Sequence, residues 1–270
     1  MKHSIILPFS IAIALSMASP QGTFAQRKSK NNVQHYVVTE MTGKYISVDS
    51  TYDTGASKAA VAVLLPYKNK VATQMYSQIG EAAKAMLAGS GKNNPEGLLS
   101  NLIADVLRAK GTEVLGGKTC DMALMNIGGI RSTLPKGKIT VANIFEILPF
   151  ENTLTVATMT GAQLKKLMQQ IAHVCAGISG ATLVADKSTR QVISATVDGQ
   201  PIDDNKMYSV ATLNYLAEGN DGFAAFAEPT VKKIVRDDIL VRDVLLEYVK
   251  KQTKEGKMID ANLENRFVYR

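Results

Sequence analysis

The sequence predicts a single α+β domain, a mixed α/β unit with helices packed on a mixed β-sheet, and three observations carry that prediction. Segments of helical and of alternating hydrophobicity are interspersed without a regular strand–helix alternation, which argues against a doubly wound parallel sheet. No internal repeat and no long linker divides the chain. The 270 residues, 46% of them hydrophobic, suffice for a sizeable core and are too apolar for a disordered chain.

The N-terminus reads as a targeting segment. Lys2 and His3 open it, Ile5 to Ala18 is apolar apart from an interruption at Pro8, and Thr23-Phe24-Ala25 places small residues three and one before a cleavage point. Residues 1–25 are therefore expected to be a signal peptide, cleaved to leave Gln26 first. The apolar run is short for a bilayer span, and no later stretch is long and apolar enough for one. An exported chain follows, periplasmic or secreted, with no membrane span after signal cleavage. Residues 26–54 are an N-terminal extension, polar in its first part, and residues 55–270 are the folded domain. The formal net charge of +7 favours anionic ligands in general. The basic residues are scattered, and Arg27, Lys28 and Lys30 read as a solvated tail, so no polymeric nucleic acid is implied. Cys120 and Cys175 are the only cysteines; export permits a bridge, and a bridge and two buried thiols both stay open.

Taken in order, residues 58–65 read as a buried strand closed by Pro66. Residues 73–88 read as an Ala-rich helix stopped by Gly89-Ser90-Gly91, with a polar loop from Lys92 to Pro95 behind it. A second helix is predicted over 96–110, with Leu98, Leu99, Leu102, Ile103, Val106 and Leu107 on one face and Gly111 as its stop. A short strand over 121–125 leads into Asn126-Ile127-Gly128-Gly129-Ile130-Arg131. Thr140 caps a short helix to Ile147. Residues 153–159 alternate as a strand. Thr160 to Gln163 has capping-box spacing, with Leu164, Leu167, Met168 and Ile171 buried behind it. Strands are predicted over 181–185 and 191–197, with Asp198-Gly199 as a turn, and again over 208–213. Residues 214–223 form a Gly-rich loop. Asp237 or Asp238 caps a last helix to about Lys251, its inner face Val241, Val244, Leu245 and Tyr248. The tail from Ile259 to Tyr269 shows no clear period.

Catalytic arrangements fail on this chain. A dinuclear hydrolase needs several His, Asp and Asn ligands. The three histidines are His3 in the signal, His35 in the extension and His173 at a helix end, where capping or packing is the better reading. No Asp-x-His, Gly-Asn-His or His-x-His occurs, nor a Gly-x-Ser-x-Gly elbow or a phosphate-cradling loop. No catalytic residue, metal ligand or cofactor site is assigned.

Three loops look different. In Asn126–Arg131, paired glycines admit a ligand close to the backbone, and Asn126 and Arg131 offer polar contacts; a plain turn with a solvated Arg131 reads equally well. In Leu148-Pro149-Phe150-Glu151-Asn152, Phe150 reads either as a core residue or as a loop aromatic. In Asn214 to Phe223, Tyr215 precedes Asp221 inside a Gly-rich stretch. Together they supply two aromatics for a flat base, a carboxylate for sugar hydroxyls, and Arg and Asn for the remaining polar edges.

The run Asp121 to Arg131, then Gly137 to Thr140, Ile147 to Asn152 and Thr160-Gly161, followed by Ala211 to Phe223, resembles the C-terminal, substrate-recognition domain of the 5'-nucleotidases. Ser100 to Asp105 is similar to that family's early helix, and the match covers roughly residues 55–255. The resemblance implies that Phe150 and Tyr215 stack on the two faces of a nucleobase, that Asp221 and Arg131 hold the ribose, that Asn126 contacts base or sugar, and that Gly128 and Gly129 line the approach. It departs at residues 92–96, where an Arg is common and only Lys92 offers a cation, and at Asn220, where Gly is common. Full-length members also carry a calcineurin-like metallophosphatase domain, for which residues 26–54 are too few. The resemblance thus implies the substrate-binding subunit of a split periplasmic 5'-nucleotidase serving nucleotide catabolism. Divalent metals are expected only in a separate metallophosphatase chain. The alternative is a stand-alone nucleoside or nucleotide binding or scavenging protein.

Overall fold

A computed structural model describes residues 57–89 and 94–270. The expected signal segment, the extension, His35 and Lys92 lie outside the described residues. The chain divides into two units, Met1–Leu65 and Pro66–Arg270. In the first, the described residues begin helix α1 (Lys58–Met75), whose later part opens the second. Residues 58–65 are therefore helix and not the expected strand. A short apolar run has no period that separates strand from buried helix, and Ala59, Ala60 and Ala62 are the best helix formers. No residue of α1 is buried, and Pro66 sits inside the helix rather than ending the element.

In chain order the second unit continues with β1 (Gln78–Ala82), α2 (Leu98–Val114), β2 (Met122–Asn126), β3 (Gly137–Thr140), α3 (Val141–Ile147), β4 (Thr153–Thr160), α4 (Gly161–Val174), β5 (Ala176–Ser179), β6 (Ala181–Ala185), β7 (Val192–Val197), β8 (Gln200–Pro201), β9 (Met207–Leu213), α5 (Asn214–Ala217), β10 (Lys232–Leu240), α6 (Val241–Lys254) and β11 (Phe267–Tyr269). The central sheet has the order β10-β4-β9-β2-β5. Among the described residues only β2 and β9 pair in parallel within it, so the sheet is mixed. A second sheet runs β11-β6-β7-β8, and β1 pairs with β3. Helices packed on mixed sheets make the α+β fold the sequence predicts.

The core explains most elements. β2 and β5 are buried along their whole length, as strands covered on both faces must be. α2 lays Leu99, Leu102, Ile103, Val106 and Leu107 against β2, β5 and β9. It runs past Gly111, the expected stop, to Val114. A Cβ at Gly111 would come within 2.8 Å of the Ala211 methyl and 3.1 Å of Cys120 Sγ, so this glycine serves close helix–sheet approach. The expected helix over 73–88 ends at Met75, and Gln78–Ala82 is strand β1. Gly80 lets that strand lie against α6, since a Cβ would meet Val249 and Thr253 at 2.7 Å. Asp237 and Asp238 are not caps: they lie in β10, and α6 begins at Val241, whose N–H donates to the Asn152 carbonyl at 2.9 Å. Both cysteines are free and buried. Cys175 Sγ lies 3.0 Å from the Tyr269 hydroxyl, and the Cys120 thiol donates to the Met122 carbonyl. His173 closes α4, with Nδ1 2.9 Å from the Gln169 carbonyl.

The capping boxes at Thr140 with Asn143 and at Thr160 with Gln163 are both formed. Replacing Thr160 with valine keeps the shape and deletes the acceptor for the Gln163 N–H. The expected cost is about 1 kcal/mol, a fall of roughly 2–4 °C in the thermal midpoint for a unit of this size, read by differential scanning calorimetry.

Candidate functional site

Three chain segments build one cavity, and each is positioned by the sheet. β2 ends at Asn126, whose side chain is buried. The chain then turns through a single 3-10 turn, Ile127–Gly129. A Cβ at Gly129 would sit 2.5 Å from Asn126 Oδ1, so this position must stay bare for the Asn126 amide to lie where it does. A Cβ at Gly128 would point into open space. Arg131 is exposed; its backbone N–H donates to the Ile147 carbonyl and its Nη1 to the Gly128 carbonyl at 3.0 Å, which folds the guanidinium back over the turn.

The second segment follows α3. Pro149 turns the chain and Phe150 stands half in solvent, 50% exposed. Beneath it lies the buried Arg242, which donates to the Pro149 carbonyl at 3.3 Å and stacks its guanidinium 4.1 Å over the Phe145 ring. The loop that carries Phe150 is thus held from below while the ring is left free.

The third segment follows β9. Asn214 accepts the Thr153 N–H at 3.1 Å, which ties the start of α5 to β4. Tyr215 is 41% exposed. The Asn220 side chain donates to the Tyr215 carbonyl at 2.8 Å. Asp221 adopts a left-handed conformation, φ 54°, between two glycines of positive φ, Gly219 and Gly222. That backbone turns the carboxylate toward the other segments. Oδ2 accepts from Asn126 Nδ2 at 2.6 Å and Oδ1 from the Tyr215 hydroxyl at 3.0 Å. The carboxylate accepts only, so the Asn126 amide must present its NH2 to it. Asn126 Oδ1 is then buried with no partner among the described residues. The carboxylate of Asp221 holds the Tyr215 phenol above its usual range, because losing the hydroxyl proton would break that hydrogen bond beside a negative charge.

Asn126, Gly128, Gly129, Arg131, Phe150, Tyr215 and Asp221 all line this one cavity of about 460 Å³, together with Asn152. Asn152, in the same loop as Phe150, and Arg242, which supports that loop, are not among the residues the sequence motifs single out. Nothing in the sequence around Arg242 distinguishes it from a solvated helix residue. A second polar cleft of about 320 Å³ holds Arg108 and Arg266, but Asp105, Asp198 and Glu264 line it as well and pair with them.

Chemically, the cavity offers two half-exposed aromatic rings, one carboxylate acceptor, amide groups and a forked cation. Groups of these kinds are chemically able to hold a flat, polar-edged molecule. It does not fit a dinuclear metal centre: it presents a single carboxylate with both oxygens engaged, and among the described residues no group of three or more His, Cys, Asp and Glu is placed to hold a metal ion.

Comparison with known proteins gives the family. Residues 78–228 match the model of the 5'-nucleotidase, C-terminal domain. Protein UshA of Yersinia enterocolitica is 30% identical over 190 residues, covering 66% of this chain and 33% of that protein. The trifunctional nucleotide phosphoesterase protein YfkN of Bacillus subtilis is 34% identical over 145 residues, 48% of this chain and 10% of that protein. The chain therefore spans a third or less of the length of these two relatives. Among solved structures, a 5'-nucleotidase precursor from Thermus thermophilus aligns with a TM-score of 0.66 at 29% identity, covering 78% of this chain and 43% of that one. The family match takes in more than half of the sequence and contains every residue of the cavity, and on it this chain belongs to the 5'-nucleotidase C-terminal domain family.

Proposed function

We propose that this chain recognises a nucleotide or nucleoside and acts as the substrate-binding subunit of a split, exported 5'-nucleotidase. The observation that carries the reading is the gathering of Phe150, Tyr215, Asp221 and Arg131 around one cavity from three distant segments. In this reading the base lies against the Phe150 and Tyr215 rings. The ribose hydroxyls donate to Asp221, whose carboxylate is already aimed by Asn126 and Tyr215. Arg131 meets the sugar or the phosphate, and Gly128 leaves the approach open. The phosphoester chemistry and its divalent metals belong to a separate metallophosphatase chain, since the cavity's own residues are suited to holding substrate. Residues 1–25 support export as a signal segment, and among the described residues no helix is long and apolar enough to cross a membrane.

Isothermal titration calorimetry of the purified chain with adenosine and AMP tests recognition; absence of binding to every nucleoside and nucleotide tried defeats the proposal. Mixing with a short metallophosphatase chain from the same genome is expected to release phosphate faster than either chain alone. A second reading, a stand-alone binding or scavenging protein, is favoured by the presence of both aromatics, the carboxylate and the cation around a cavity of this chain, and it gives binding with no gain on mixing. Replacing Asp221 with alanine should weaken adenosine binding by about tenfold or more while affecting free adenine far less, because the carboxylate is assigned to sugar hydroxyls.

A further inference from the structure

β10 forms one edge of the central sheet, paired with β4 on one side only; among the described residues no strand pairs with its other side. Residues 232–235 and Asp237 and Asp238 are exposed, including the side chains of Ile234 and Val235. Such an edge presents a row of free backbone donors and acceptors to any strand that fits it. Charges ordinarily keep edges apart. Here they fall in two blocks of opposite sign, Lys232-Lys233 before the apolar pair and Asp237-Asp238 after it. β10 runs on through Leu240, its ladder to β4 bulging between Arg236 and Leu240, and within that bulge the Arg236–Asp238 ion pair, at 2.6 Å, joins two neighbouring side chains.

We propose that β10 pairs antiparallel with β10 of a second copy of this chain, about a twofold axis through Val235, joining two central sheets edge to edge. In this register Lys232 of each copy opposes Asp238 of the other, and Lys233 opposes Asp237. Every charged block meets its opposite, twice over, because the interface is isologous. Val235 meets its symmetry mate on one face, and Ile234 lies along the aliphatic stem of Arg236 on the other. Neighbouring registers are penalised. An axis at Ile234 sets Lys232 against Arg236, an axis at Arg236 sets that residue against itself, and a parallel in-register pair stacks Lys on Lys and Asp on Asp. This inference is independent of the nucleotide reading, since none of these residues lines the cavity.

Sedimentation velocity on the purified chain tests it. A single strand pair is a small interface, so the dimer is expected with a dissociation constant on the order of tens of micromolar at low salt. Raising the salt from about 50 mM to about 500 mM should weaken it several-fold, because exposed ion pairs are screened. The doubly acidic variant (Lys232→Asp with Lys233→Asp) and the doubly basic variant (Asp237→Lys with Asp238→Lys) should each be monomeric alone and form a one-to-one heterodimer when mixed. Circular dichroism melts check that both fold. A parent chain that stays monomeric at about 200 μM in low salt, an association unchanged or strengthened by salt, or a dimer that persists in both charge variants overturns the proposal. The salt series on the parent chain decides even if a variant does not fold.

Discussion

Replacing Phe150 with alanine is expected to weaken nucleoside binding by roughly ten- to a hundredfold and to leave the thermal midpoint nearly unchanged. The two halves of that expectation have separate causes. The ring is 50% exposed, so it contributes little of the burial that makes core phenylalanines costly to remove. Its loop does not depend on the ring for shape, since Arg242 holds the Pro149 carbonyl and α6 is tied to Asn152 through the Val241 N–H. What the side chain supplies is a flat apolar face to the cavity, and stacking of a base on such a face contributes about 1–3 kcal/mol. Phe226, fully buried, is the control: its alanine variant should lose about 3–5 kcal/mol of stability. Calorimetric titration and thermal melts on both variants separate the cases. If Phe150→Ala melts as low as Phe226→Ala does, the ring is a packing element and the proposed pocket loses one wall.

The contrast between Phe150 and Phe226 also marks what the sequence can carry. Local rules settle local matters. Thr140 and Thr160 announce their helices by spacing, and both capping boxes form. Asp198-Gly199 turns the chain between β7 and β8, both residues at positive φ. The motif residues Asn126, Gly128, Gly129, Arg131, Phe150, Tyr215 and Asp221 stand out in the sequence and meet around one cavity. Elements fixed by distant partners were not legible. Gln78–Ala82 is rich in helix formers nearby, yet pairing with β3 and the fit of Gly80 under α6 make it a strand. α6 begins where the Asn152 carbonyl waits for an N–H, and no side chain at Asp237 or Asp238 announces that. The run at 58–65 carried no period at all, and there its alanines decide the conformation.

The C-terminal tail is the clearest case, because its most consequential residue acts through groups far away in sequence. Arg266 is expected to be the most costly ionic side chain to remove, with alanine there losing about 2–3 kcal/mol and lowering the midpoint by about 5–10 °C. The guanidinium is only 13% exposed and makes a two-pronged contact with Asp105 of α2, at 2.7 and 2.9 Å. The same group reaches Glu264 at 2.8 Å and the Ile178 carbonyl of β5 at 3.1 Å. One side chain thus fastens the tail, α2 and an edge strand of the central sheet. Its backbone carbonyl accepts the Leu183 N–H at 2.7 Å beside the β11–β6 ladder, so loosening the tail also loosens the second sheet. Truncation leaves Asp105 with the Ser179 hydroxyl as its remaining hydrogen-bond donor among the described residues. Lysine at 266 should recover only part of the loss, because a point charge cannot reproduce the paired geometry. Lys257, exposed and paired with Glu255, is the contrasting case: its alanine variant should melt with the parent, as exposed ion pairs contribute little. Urea and thermal denaturation of the three variants decide the matter; if Arg266→Ala melts with Lys257→Ala, the tail is held by the Phe267 burial and the β11–β6 ladder alone.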